Sequence, residues 1–117
     1  LPLYPARVRP IKGRVILVEG IFDMLNLHDK GLENAVCCFG TRNVDIEKLK
    51  LLKMQGVDAV DILFDPDEAG QDAATRIAEL CESAELLSKN IRLPVQLGDA
   101  GALNKLKVKE LKETLYG

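Results

Sequence analysis

The sequence predicts a three-layer α/β domain, with about four mainly parallel strands and helices on both faces of the sheet. Two observations carry this. Short aliphatic, β-branched runs alternate with segments of helical periodicity, the pattern of successive right-handed βαβ units. The runs are also continuously apolar, as in "VILV" (15–18), which is how a strand reads when both faces of its sheet are covered.

The elements follow in order. Residues 1–13 carry Pro2, Pro5 and Pro10 with Arg7, Arg9 and Lys12, and read as a linker or arm leading into a domain over 14–117. "RVILVE" (14–19) is the first strand. Ile21 to Lys30 is a helix, with Phe22, Leu25 and Leu27 at helical spacing and Gly31 as its stop. "NAVCCFG" (34–40) is the second strand. Residues 45–55 form a helix with Asp45 as N-cap, Leu49, Leu52 and Met54 as apolar positions, and Gly56 closing it. "AVDILFD" (59–65) is the third strand, "DPDEAG" a turn, and 71–87 a long helix. "NIRLPVQL" (90–97) is the fourth strand, placed at an edge because Pro94 lacks a ladder donor. A loop, "GDAGALNKL", leads to a short amphipathic helix over 108–115.

Composition narrows the function classes. A chain of 117 residues makes one domain and buries roughly 65% of its unfolded surface. No apolar segment approaches the ~18 residues of a membrane span, and the N-terminus lacks a signal peptide's charged start, so no membrane role is expected. A first residue other than Met suggests a fragment of a larger protein. The net charge of −2, from 16 basic and 18 acidic side chains, argues neither for nor against a nucleic-acid partner. Cys37 and Cys38 are adjacent, so in a strand they face opposite ways, and with Cys81 they read as reduced structural thiols of a cytoplasmic protein. With one histidine (His28) and no CxxC, a zinc site is not expected, and no GxxxxGK[ST] loop is present.

The carboxylates carry the chemistry. Ligands of an open parallel sheet sit beyond the carboxyl ends of its strands. Glu19 ends the first strand and Asp65 the third; Asp67 follows two residues later, and Asp23 lies in the first turn after Gly20. Four carboxylates at one rim repel each other by several kcal/mol at an effective dielectric near 20. A hard divalent cation removes that repulsion, and all-oxygen ligation suits Mg²⁺. Simpler roles compete: Asp67 as a helix N-cap, "DPD" as a turn, Asp23 as a partner of its own helix dipole. Glu19 resists such a reading, since glutamate is a poor strand residue. Gly20, lacking a Cβ, lets a phosphate approach the backbone.

"VEGIFDMLNL", "NAVCCFGT" and "ILFDPDEAGQDAA" resemble the three signature segments of the Toprim domain, shared by topoisomerases and primases. With "LGDAGAL" the resemblance spans about residues 13–104. It implies the three-layer, Rossmann-like Toprim fold, with Glu19 as general acid/base or metal ligand, Asp65 and Asp67 binding Mg²⁺ (or Mn²⁺), and Asp23 in support. Topoisomerases usually carry a glutamate where Ala69 stands, so "DPDEAGQDAA" and the Gly40-Thr41 ending look more like bacterial and phage primases. Those primases carry a further acidic loop, often Asp-Pro. Asp99 stands in about that place with Ala100 for the proline, which leaves it a metal ligand or a plain turn residue.

The resemblance therefore implies the Mg²⁺-dependent nucleotidyltransferase core of a DNA primase. Its partners would be a single-stranded DNA template, ribonucleoside triphosphates and a replicative helicase. The alternatives are a Toprim-type metal-dependent nuclease and a non-catalytic module that binds nucleic acid or a partner protein. Thr41 and Arg42 are candidates for phosphate contact, against a solvated loop charge. Lys105, Lys107, Lys109 and Lys112 read first as a solvated helix face, given the interspersed Glu110 and Glu113, and second as a contact to template phosphates. The isolated chain is expected to synthesise little, since template-gripping domains would lie elsewhere.

Overall fold

The apolar run "VILV" (15–18) and the segment "AVDI" (59–62) become the two central strands, while "AVC" (35–37) supplies a strand at one end of the sheet. The computed structural model describes residues 1–117, the side chain of Val95 excepted. Strands β1 (Arg14–Val18), β2 (Ala35–Cys37), β3 (Ala59–Ile62) and β4 (Leu87–Asn90) form one sheet in the order β2-β1-β3-β4, with every pairing parallel. Helices α1 (Ile21–Asp29), α2 (Ile46–Met54), α3 (Glu68–Ser83) and α4 (Lys105–Tyr116) complete the alternation. Val15 and Leu17 of β1 pack on one face with Leu49 and Leu52 of α2 and Ile77 of α3. Ile16 and Val18 pack on the other with Met24 and Leu27 of α1 and Val108 of α4. This is the expected three-layer α/β arrangement. Cys37 and Cys38 are divided between the two cores, as adjacent strand residues must be. Burial pushes the Cys38 thiol up to about 12 and that of Cys81 up to about 11, so both remain protonated and inert.

Caps, rather than apolar spacing, set the helix boundaries. Asp45 caps α2 as expected, accepting from Lys48 N at 2.9 Å. Asp67 caps α3, accepting from Gly70 N at 2.7 Å, so the helix begins at Glu68 rather than 71. Asn104 caps α4 through Lys107 N, starting it at Lys105 rather than 108. Both first turns are polar and give no apolar signal. At its other end α3 stops at Ser83 instead of running to 87. Glu85 takes a left-handed φ of 61°, and Leu86 N donates back to Cys81 O at 2.8 Å while its side chain is buried.

That early stop moves the fourth strand. β4 is Leu87–Asn90, not 90–97, and all four of its residues are exposed. It is the expected edge strand, but Pro94 lies beyond it, and Val95–Leu97 form a 3-10 turn. The buried face of α1 also differs: Met24 and Leu27 point inward, while Phe22 is 79% and Leu25 48% exposed. The segment 1–13 is no free arm. Leu3 and Val8 are buried, and Tyr4 exchanges backbone hydrogen bonds with Cys37 at 3.0 and 2.8 Å, which adds an antiparallel bridge beside β2. No helix among the described residues is long and apolar enough to cross a membrane.

One buried acid has no counterpart in the sequence reading. Asp61, in the middle of β3, has no exposed surface. The Arg14 guanidinium donates to both of its oxygens, at 2.7 and 3.1 Å, and Tyr116 Oη donates to Oδ2 at 2.7 Å. Asn34 Nδ2 donates in turn to the tyrosine oxygen at 3.0 Å. The network ties β1, β3 and the end of α4 together. Tyr116→Phe should therefore cost about 2 kcal/mol, and Arg14→Met, which strands the buried carboxylate, about 3–5 kcal/mol. Urea unfolding midpoints at unchanged slope measure both losses.

Candidate functional site

The β1–β3 pairing sets Leu17 opposite Ile62, so both chains leave the sheet at the same edge. From β1 the chain passes to α1 on one face, and it enters β3 from α2 on the other. The gap between these strands is thus a topological switch point, with a crevice at the carboxyl ends. Neither acid ends its strand as the sequence reading had it: Glu19 stands one residue beyond β1 and Asp65 three beyond β3, since the β3–β4 pairing stops at Ile62. Asp65 N donates to Glu19 Oε1 at 3.2 Å and joins the two across the gap.

Close packing holds Asp65 in place. A Cβ added at Gly70 would lie 2.3 Å from the Asp65 carbonyl oxygen, so only glycine allows the first turn of α3 to sit there. Gln71 Nε2 donates to the same carbonyl at 3.1 Å, and Asn90 Nδ2 steadies Gln71 Oε1 at 3.0 Å. Asp23 does a different job. Its two oxygens accept from Gly20 N at 3.2 Å and Gly101 N at 2.9 Å, so it caps α1 and clasps the 98–103 loop. Asn26 Nδ2 completes the clasp at Ala100 O (2.8 Å) and Leu103 O (3.0 Å). The loop brings Asp99 to the rim, where Asp65, Pro66, Asp67, Gly98 and Asp99 line a cavity of about 300 Å³.

Charge accumulates here without compensation. Burial raises the Glu19 carboxyl above the usual range, and Asp65, Asp23 and Asp67 add to the rise against the Asp65 N–H. Asp65 is raised by burial and then by Asp99, Asp23 and Asp67. Asp23 is raised chiefly by burial, with the Gly20 N–H opposing and Asp99 adding. The ion pairs among the described residues all lie elsewhere. An all-carboxylate donor set in this state suits a hard divalent cation. Its geometry is not closed: no three Asp, Glu, His or Cys side chains among the described residues surround one point. The charge converges, and rotation of the exposed Asp67 and Asp99 side chains would have to complete the ligand shell.

The phosphate candidates are placed less directly. Gly20 has an ordinary extended backbone (φ −122°), and an added Cβ would meet Asp23 Oδ2 at a tolerable 3.5 Å, so its conformation does not demand glycine. Gly40 N donates to Glu19 O at 3.0 Å, which carries Thr41 and the exposed Arg42 to the same edge, beside β2 and outside the carboxylate cavity. Arg76 of α3 reaches this loop, donating to Thr41 O at 2.5 Å. The sequence reading passed over Arg76, which carries no local signal, over Gly101, whose neighbour Asp23 comes from a distant segment, and over Gly70, whose constraint arises only when the first turn of α3 folds back onto the Asp65 carbonyl.

Residues 16–103 match a family model described as Toprim-like. The chain belongs to the Toprim-like family. This Toprim-like chain is 42% identical over 81 residues to a DNA primase of Chlamydia pneumoniae, covering 69% of the chain and 14% of that protein. It superposes on a primase from Aquifex aeolicus, solved with its zinc-binding and RNA polymerase domains, at a TM-score of 0.76 and 33% identity over 90% of the chain and 25% of the other. A DnaG primase catalytic domain bound to ssDNA aligns at 0.71 and 28% identity, over 87% and 32%. The Toprim-like chain spans about a sixth of the length of the curated primases it matches.

Three outcomes are expected of the site. Mg²⁺ or Mn²⁺ at ten times its dissociation constant should stabilise the chain by roughly 1.4 kcal/mol, about 5–10 °C in melting temperature, and Asp65→Asn should abolish the rise. Because the folded Asp65 carboxyl is raised, its charge is a penalty present at neutral pH and relieved as pH falls through the folded value toward 3.8. Without divalent cations Asp65→Asn should therefore melt above the wild type at pH 7, with the gap closing in acid. Gly70→Ala should cost about 1–3 kcal/mol by overpacking and weaken the cation effect, both read by thermal melts.

Proposed function

We propose that this chain is the nucleotidyltransferase core of a DNA primase, joining ribonucleotides on a single-stranded DNA template. The observation that carries the reading is the Glu19–Asp65 link across the switch point, with Asp67 and Asp99 at the same rim, in a chain related to primases. In the reaction a 3′-hydroxyl oxygen bonds to the α-phosphorus of a ribonucleoside triphosphate. The bond from that phosphorus to the bridging oxygen breaks, and pyrophosphate leaves.

The residues divide the work. Asp65, Asp67 and Glu19, with Asp99 from the loop, would hold Mg²⁺ or Mn²⁺, and Asp23 supports them by fixing the loop. A bound divalent cation supplies charge neutralisation for the triphosphate and the departing pyrophosphate. Glu19, raised by burial, is suited to take or return the hydroxyl proton. Gly20, with Thr41 and Arg42 at the same edge beside β2, would contact the phosphates from outside the carboxylate cavity. The curated primases are several times longer than this chain, so much of the template grip is assigned to segments outside residues 1–117. A cytoplasmic site of action accords with the buried, unpaired Cys37, Cys38 and Cys81, and the helicase partner has no surface assigned on this chain.

Primer synthesis by the full-length parent on single-stranded DNA, with labelled ribonucleotides and Mg²⁺ or Mn²⁺, tests the proposal. Glu19→Gln and Asp65→Asn should each lower extension by at least about a hundredfold and leave the melting curve cooperative. Shortened template in place of primers would identify a nuclease, and neither product a binding module. Full activity in both variants would refute the site.

A further inference from the structure

At the sheet edge opposite the carboxylates, the structure gathers charge of the other sign. The hollow between α4 and the end of α1 has a volume of about 490 Å³. Ile11 and Tyr116 form part of its floor, and Lys30, Lys105, Lys109 and Lys112 stand around it. Ile11 precedes β1 and Gly31 follows α1, which places it at the amino ends of the strands. The three α4 lysines lie at i, i+4 and i+7, one face of the helix. Lys107 is turned off that face and pairs with Glu110 at 3.4 Å.

Most of this charge is positioned without being neutralised. Lys112 Nζ donates to Gly31 O at 3.1 Å, Lys12 Nζ to Tyr116 O at 2.8 Å, and Lys30 Nζ to Asn26 Oδ1. Carbonyl acceptors orient an ammonium and leave its unit charge in place. The opposing acids are Glu113 and the terminal carboxyl of Gly117 in the lining, and the exposed Asp29, 3.8 Å from Lys30. Lys105 and Lys109 are exposed and belong to none of the ion pairs among the described residues. An apolar floor lowers the local dielectric and strengthens the field over the hollow. In a chain of net charge −2, such a concentration selects anions at one place.

We propose that this lysine-rimmed hollow binds the phosphate backbone of single-stranded nucleic acid, as a contact separate from the carboxylate crevice. Lysines spaced along one helix match a run of successive phosphates, and no base-reading group is needed. The contact requires no divalent cation, so it does not depend on the primase reading.

Fluorescence anisotropy of a labelled single-stranded oligonucleotide with this chain in EDTA, over a salt series, tests it. The wild type should bind with a steep salt dependence. Lys105→Gln with Lys109→Gln, both exposed, should keep the wild-type melting temperature, lose roughly tenfold in affinity at low salt, and flatten the slope of log K against log salt by roughly 1.4. Asp65→Asn should bind as tightly as the wild type. Wild-type affinity and slope in the double lysine variant would overturn the proposal, as would equal binding of polyglutamate of matched length.

Discussion

The parallel pairing of β1 with β3 is the constraint on which the site depends. It makes two segments more than forty residues apart in sequence end level with one another, so Glu19 and Asp65 emerge at one edge. Both strands are covered on their two faces by helical layers, and the one polar residue of β3, Asp61, is held by Arg14 of β1 and by Tyr116, so the pairing itself carries the buried acid. Everything at the rim is then local detail added to that alignment: the Asp67 cap, the Gly70 contact, and the loop clasped by Asp23 and Asn26.

Two acids of the same strand region receive opposite treatment. Asp61 is fully buried and fully answered, with Arg14 on both oxygens and Tyr116 on one. Asp65, four residues on, faces Glu19, Asp67, Asp23 and Asp99 with no cation among its neighbours. A buried carboxylate persists through pairing, whereas a cluster of unpaired ones persists at a cost in stability. The first arrangement holds the fold together, and the second stores the electrostatic tension that suits a phosphate-handling centre. The lysines of the hollow and the carboxylates of the crevice thus give the molecule two regions of opposite charge.

Much of the fold was legible because apolar continuity is a local property. The central strands, Asp45 as a cap, and the division of Cys37 from Cys38 follow from residue order. Failures occurred where polar backbone chemistry outweighed apolar pattern. α3 and α4 each begin three residues early on polar caps, and β4 consists of exposed "LSKN", which carries no apolar signal. Phe22 and Leu25 have helical spacing yet face outward, because Met24 and Leu27 already fill the inward stripe of α1.

By itself the sequence determined the α/β alternation, the Toprim resemblance and that acids follow the first and third strands, since each is written in contiguous residues; that Asp65 lies three residues past β3 came from the structure. Only the tertiary structure decided that Asp23 serves the loop, that Gly70 must be glycine, that Asp61 needs Arg14 and Tyr116, and that four scattered lysines share one hollow. The Gly70 constraint comes from the fold of a single turn onto Asp65, and the others are contacts between segments remote in the chain, which exist only once packing has brought those segments together.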